Sequence, residues 1–320
     1  MQQRFLGSTG LSVSRLGLGT MTWGRDTDEH EAREQFVAFV DAGGTLVDTA
    51  AGYTDGDSER LIGSLIGDVC ERDEIVLATK AGISRRGRDR ITNASRGHLI
   101  STLDASLKRL GVDHVDLWQV HVWVDDAPLE ETLSAFDYAV STGRASYVGV
   151  SNYSGWQSAQ AATWQRAVPG RAPLASHQVE YSLLNRSAEA EVVPAAQALG
   201  LGILPWSPLG RGVLTGKYRG GAPADSRAAS PHFSTFVGRY LGESSRRVVD
   251  AVGRAADGLG WSPLEVSLAW VRDRPGVTAP IVGARTSAQL RESLGVEECE
   301  LPLEIVQALQ DVSEGLEVTG

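Results

Sequence analysis

The sequence has 320 residues, 42% hydrophobic and 22% charged, with a formal net charge of −10. That composition is ordinary for a soluble globular chain, and the acidic balance argues against nucleic acid or an anionic membrane surface as a main partner. No apolar run approaches the ~18 residues of a membrane span, and no signal-peptide pattern opens the chain, so a cytoplasmic protein is expected.

In chain order, Arg4–Val13 reads as a hairpin turning at Ser8–Gly10, placed to plug one end of a domain. A β-rich run, Ser14–Leu18, then starts an alternation that continues to the end. Asp28–Ala42 carries Phe36, Val37, Phe39 and Val40 at helical spacing and stops at Gly43–Gly44. The strand-like runs Thr45–Asp48 and Ile75–Thr79 follow. Leu99, Leu103, Leu107 and Leu110 then form a helical stripe closed by Gly111. Val115–His121, Ala145–Val150, Ser176–Glu180, Gly202–Trp206 and Thr278–Val282 are the remaining strand candidates. Gly143 ends one intervening helix, and Ser154, Ser187 and Ser262 are candidate N-caps, the last with Pro263 at the first helical position. Ser207–Leu241, rich in Gly, Pro and Ser, is too long for an ordinary connection and is expected to be functional. Eight strand–helix alternations imply parallel strands joined by right-handed crossovers. The predicted fold is α/β, a (β/α)8 TIM barrel with an N-terminal β-hairpin and a long loop after strand 7, forming one domain over residues 1–320. The two cysteines, Cys70 and Cys299, match no CxxC or zinc spacing, so no metal or disulfide framework is expected.

Such barrels carry their sites at the C-terminal ends of the strands. Those ends read Asp48, Lys80, His121, Ser151–Asn152, Gln178, Trp206–Ser207 and Gly283–Ala284–Arg285–Thr286. Each residue alone has a plain structural role: Asp48 as a turn cap, Lys80 reaching to solvent, His121 as a half-buried core histidine, Tyr53 as packing in its loop. Together they make an acid/base unit. Asp48 keeps Lys80 charged, and Lys80 is expected to lower the Tyr53 phenol from its ordinary value near ~10. That would make it a workable proton donor.

The segments VDTAAGYTDGDSERLIG, LATKAG, DLWQVH, VGVSNYS, PWSPLGRGVLTGKY and IVGARTSAQLRES, in this order, resemble the aldo-keto reductase superfamily, nearest its bacterial and potassium-channel-β-like branch. The resemblance covers almost the whole chain. It implies a catalytic set of Tyr53, Asp48, Lys80 and His121, and hydride transfer to an aldehyde or ketone with Tyr53 as general acid. It implies NADP(H) as cofactor. Trp206 would stack on the nicotinamide, with Ser151, Asn152 and Gln178 on its carboxamide. Ser207, Leu209, Gly212 and Lys217 would lie along the pyrophosphate, and Gly283, Arg285, Thr286, Gln289 and Glu292 would hold the adenosine and its 2′-phosphate. Ser293 stands where relatives have an adenine-contacting asparagine, and Trp206 where many have tyrosine. Independently of the resemblance, a Rossmann fingerprint is absent, because GLGT at Gly17–Thr20 lacks the third glycine, and LGRGVLTGKY fails as a P-loop. Arg285 and Thr286 at a helix start suit an anion.

Trp23 and Trp123 are candidate walls of a pocket for a small carbonyl substrate, and equally candidates for filling the rim. Phe233, Phe236 and Tyr240 are candidates to close over a ligand. Two further readings compete with the reductase: an NADP(H)-binding redox-sensing regulatory subunit with slow turnover, and a lyase using Lys80 as a Schiff-base amine. The Asp48 partner argues against the lyase, since pairing raises a lysine pKa that a Schiff base needs low.

Overall fold

In the computed structural model, residues 1–86, 89–219 and 234–316 are described. Two short antiparallel strands, β1 (Gln3–Phe5) and β2 (Ser12–Ser14), form the expected N-terminal hairpin. The barrel strands are β3 (Gly17–Gly19), β4 (Leu46–Asp48), β5 (Val76–Ala81), β8 (Val115–Val120), β9 (Ala145–Ser151), β10 (Leu174–Glu180), β11 (Gly202–Trp206) and β12 (Ile281–Val282). They close, all parallel, in that order, with β12 against β3. A second hairpin, β6 (Ile83–Arg86) and β7 (Asp89–Thr92), rises directly from the end of β5.

The helices are α1 (Glu29–Asp41), α2 (Asp57–Leu65), α3 (Arg96–Leu110), α4 (Leu129–Ser141), α5 (Gly155–Ala167), α6 (Val192–Ala198), α7 (Ser234–Gly238), α8 (Glu243–Leu259), α9 (Pro263–Arg272), α10 (Ser287–Leu294) and α11 (Leu303–Ser313). Local chemistry sets their ends. Asp28 caps α1 through the Glu31 amide, and Ser154 and Ser262 form reciprocal capping boxes with Gln157 and Glu265. Gly111 ends α3 at φ 66°. Ser187 departs from expectation: it lies inside a short 3-10 turn, Ser187–Glu189, and α6 begins only at Val192.

The expected first strand, Ser14–Leu18, is divided between the hairpin and the barrel. The Ser14 hydroxyl donates to the Leu16 carbonyl and accepts the Thr45 and Leu46 amides, which makes a corner where a continuous strand was expected. The apolar interior splits into two clusters. The larger lies between barrel and helices. The smaller fills the barrel with Leu46, Ala78, Leu117, Ala175, Leu204, Ala279 and Ile281, and Leu6 and Val13 of the hairpin complete it from below. The N-terminal end is therefore stoppered by side chains, and polar residues collect at the opposite end.

Candidate active site

Parallel register decides which side chains meet. Asp48 pairs with Ala78, Lys80 with Gln119, Gln178 with Ser151, and Glu180 with Trp206. Lys80 thus lies two residues beyond the partner of Asp48, and His121 two beyond the partner of Lys80, an even offset that keeps all three on the same face of the sheet. Lys80 Nζ lies 2.6 Å from Asp48 Oδ2 and donates to the Thr49 carbonyl at 2.8 Å, and both side chains are almost wholly buried. Gln178 Nε2 donates to the other Asp48 oxygen at 2.9 Å. Tyr53 sits over this pair, its ring centroid 5.2 Å from Lys80 Nζ and 5.8 Å from the His121 ring, edge to face.

One polar network, centred on Asn152, holds the surroundings. Asn152 Nδ2 donates to the His121 carbonyl at 2.9 Å and to Ser151 Oγ at 3.0 Å, while its Oδ1 accepts the Trp206 indole N–H at 3.0 Å. The network thus fixes the indole plane. Among the described residues five non-glycine residues hold positive φ: Thr54, Asp55, Asn152, Ser207 and Arg211. All five lie in the loops that follow β4, β9 and β11. Left-handed backbone costs an L-residue on the order of 1 kcal/mol, and such strain gathers where side chains must be aimed.

The electrostatics differ in one respect from expectation. Desolvation pushes the Tyr53 phenol above the ordinary tyrosine range; it outweighs the Lys80 charge, which pulls down, and the Asp48 charge adds to the rise. The expected lowering by Lys80 exists but loses to burial. Desolvation also acts to lower Lys80, yet Asp48 and Tyr53 together hold it above its usual value, so it stays charged. Desolvation, with the Lys80 and Arg90 charges, drives His121 well below the imidazole range, so it is neutral. Its Nδ1 is buried with no hydrogen-bond partner among the described residues. The mouth thus presents a protonated phenol, a charged ammonium and a neutral imidazole around one small volume.

This arrangement lies inside a segment, residues 15–314, that matches the model of the Aldo/keto reductase family. The chain belongs to the aldo/keto reductase family. It is 38% identical over 326 residues to an uncharacterized oxidoreductase, YrpG, of Bacillus subtilis (strain 168), covering 98% of this chain and 97% of that protein. It is 35% identical over 298 residues to a probable voltage-gated potassium channel subunit beta of Oryza sativa subsp. japonica, covering 92% and 90%. L-glyceraldehyde 3-phosphate reductase of Escherichia coli (strain K12) is 32% identical over 302 residues, covering 92% and 87%.

Within this aldo/keto reductase the residues expected to hold a nicotinamide dinucleotide form three groups around the mouth. Ser151, Asn152, Gln178 and Trp206 interlock as described. Gly212, at φ 89°, lies beside Lys217: a Cβ on Gly212 would come within 3.2 Å of Lys217 Nζ, so the missing side chain leaves room for the ammonium. Ser207 and Leu209 belong to the same turn, where the Gly210 and Gly212 amides donate to their carbonyls. Thr286 caps α10 through the Gln289 amide, and Gln289 Oε1 accepts the Arg285 amide at 3.1 Å. Glu292 and Gly283 are exposed, and the Ser293 hydroxyl is turned back to the Gln289 carbonyl, away from solvent. An orphaned buried ring nitrogen, a half-buried indole face and an amide-rich helix start fit such a group.

Trp23 requires correction as a pocket wall. It is fully buried, packs edge-on against Phe36 and donates its indole N–H to Gln35, so it belongs to the core between barrel and α1. Trp123 does stand at the rim, half-buried, in an aromatic group with Tyr153 at 5.1 Å and the exposed Trp156 at 5.5 Å. Of the three aromatics in the long connection, Phe233 lies outside the described residues, Phe236 stacks on Trp206 at 6.5 Å and Tyr240 is buried on Glu180. The reading of the sequence missed what holds them. Arg211 makes a two-pronged pair with Glu180 at 2.9 and 2.7 Å, donates to the Phe236 carbonyl and lies 3.6 Å over that ring. Glu180 closes β10 with an ionisable side chain, the same strand-end pattern that marks Asp48, Lys80 and His121.

Proposed function

We propose that this chain reduces an aldehyde or ketone to the alcohol with NADPH, using Tyr53 as the general acid. The observation that carries the reading is the buried Lys80, held between Asp48 and the Thr49 carbonyl with the Tyr53 and His121 rings above it. When bound, the cofactor supplies a hydride to the carbonyl carbon. Tyr53 gives its proton to the oxygen on which negative charge develops, and the Lys80 charge stabilises the phenolate left behind until solvent reprotonates it. Neutral His121 orients that oxygen through its ring. Asp48 keeps Lys80 charged and fixed. Trp206, Asn152, Ser151 and Gln178 would bind the nicotinamide, Ser207, Leu209, Gly212 and Lys217 the pyrophosphate, and Gly283, Arg285, Thr286, Gln289 and Glu292 the adenosine end. Trp123 forms one substrate wall, suited to flat or apolar carbonyl compounds.

The raised Lys80 value opposes the Schiff-base alternative, which needs a neutral amine. The likeness to channel β-subunits supports a second reading, a cofactor-binding sensor with slow turnover. NADPH oxidation with 4-nitrobenzaldehyde, measured for the wild type and Tyr53→Phe with cofactor binding followed by fluorescence, separates them. Rapid turnover lost in Tyr53→Phe, with binding kept, supports the reductase. Binding without turnover in the wild type supports the sensor, and full activity in Tyr53→Phe removes Tyr53 from its role.

A further inference from the structure

Closure of the barrel places β12 beside β3, and so packs the helix that follows each, α10 and α1, against one another. The loops between are stitched as well: Thr22 Oγ1 donates to the Ala284 carbonyl and Thr27 Oγ1 to the Arg285 carbonyl. This brings an acidic residue of the first turn of α1 to the start of α10. The Glu31 carboxylate accepts the Ser287 amide, the first N–H of that helix, at 2.6 Å. The exposed amides of a helix start, with the positive end of its dipole, attract an anion, and here the chain supplies one from a neighbouring helix.

The same turn carries Arg285, Thr286 and Gln289, the residues assigned above to the adenosine end of the dinucleotide. The two forms of the cofactor differ there in one group. A 2′-phosphate brings a dianion that must compete with Glu31 for the Ser287 amide and is repelled by its carboxylate. A 2′-hydroxyl is a donor, and a carboxylate is a good acceptor for it. Arg285 favours the phosphate; Glu31 favours the hydroxyl.

We propose that Glu31 is a specificity-determining residue that restrains the preference of this chain for NADPH over NADH by occupying, as an internal carboxylate, the amide a 2′-phosphate would use. The inference rests on the cofactor reading given above. Exchanging the carboxylate for an amide removes the charge and keeps the shape. A charge at a partly buried helix start changes affinity by about tenfold.

The test titrates the full-length protein with NADPH and NADH, followed by tryptophan fluorescence, for the wild type, Glu31→Gln, Glu31→Ala and Arg285→Ala. Displacement by 2′,5′-ADP and by 5′-AMP isolates the phosphate. In both Glu31 variants the Kd for NADPH and 2′,5′-ADP should fall about tenfold, with NADH and 5′-AMP binding no tighter than to the wild type. Arg285→Ala should move the ratio the opposite way. An unchanged NADPH/NADH ratio in both Glu31 variants, with the wild type binding NADPH, overturns the role of Glu31 and leaves the cofactor reading standing. A wild type that binds neither dinucleotide overturns both.

Discussion

Lys80→Met tests the centre of the site through stability as well as rate. In the folded chain both members of the Lys80–Asp48 pair are buried, so removing the ammonium leaves a carboxylate whose one remaining side-chain partner among the described residues is the Gln178 amide. Breaking one side of a buried pair costs about 3–5 kcal/mol. At about 2 °C per kcal/mol for a chain of this size, that lowers Tm by about 6–10 °C. Asp48→Asn added to Lys80→Met removes the stranded charge and should recover most of the loss, to within about 1–2 kcal/mol of wild type. Activity should not recover. Without Lys80 the phenol loses the charge that pulls its pKa down and the phenolate loses its counter-ion, so both variants should fall at least ~100-fold in kcat. Differential scanning fluorimetry and NADPH oxidation on the three proteins decide it. A single variant as stable as wild type, or a double variant no more stable than the single, would refute the idea that an uncompensated Asp48 is the penalty.

Other consequences are open to measurement. Desolvation holds the His177 pKa at about 4, with Ser158 Oγ 3.1 Å from Nδ1. Between the unfolded value near ~6.5 and that folded value only the unfolded chain takes up the proton. Stability from this group is therefore complete above pH ~6.5 and falls by about 3 kcal/mol as pH drops to ~4. Urea midpoints at pH 7 and pH 5 should differ less in His177→Gln; an equal difference assigns the acid sensitivity elsewhere. Gly52→Ala would set a Cβ 2.7 Å from the Ile83 carbonyl at the base of the β6–β7 hairpin. It should cost about 1–3 kcal/mol and displace Tyr53, lowering kcat with cofactor affinity kept, whereas wild-type kcat would show that the Tyr53 turn is set independently of this contact. Arg211→Met strands the buried Glu180 and frees Phe236 from Trp206, so melting temperature and NADPH affinity should fall together; a drop in stability with unchanged affinity limits Arg211 to a structural part.

Most of the architecture was legible because it follows from periodicity. The seventh barrel strand, Gly202–Trp206, has the predicted limits, and the others shift by a few residues at their ends. The first strand failed because its corner depends on Ser14 side-chain bonds to residues thirty positions away, which no local pattern encodes. The β6–β7 hairpin escaped notice for a related reason: its arginine-rich strands show no apolar alternation. At the site, strand-end position located Asp48, Lys80 and His121, but it could not show how charge and burial balance at Tyr53, which is a property of the assembled environment. Trp23 shows the complementary failure. Sequence placed it in a loop at the mouth, and only packing against Phe36 and Gln35 turns it into the core.

Among the described residues, Leu6 and Val13 of the hairpin close the lower end of a barrel whose middle is already filled by its own side chains. Under the proposed reaction both reactants would therefore have to come in from the mouth, and the one seated deeper would arrive first and depart last. A hairpin well away from any reacting atom would in this way set the order of traffic.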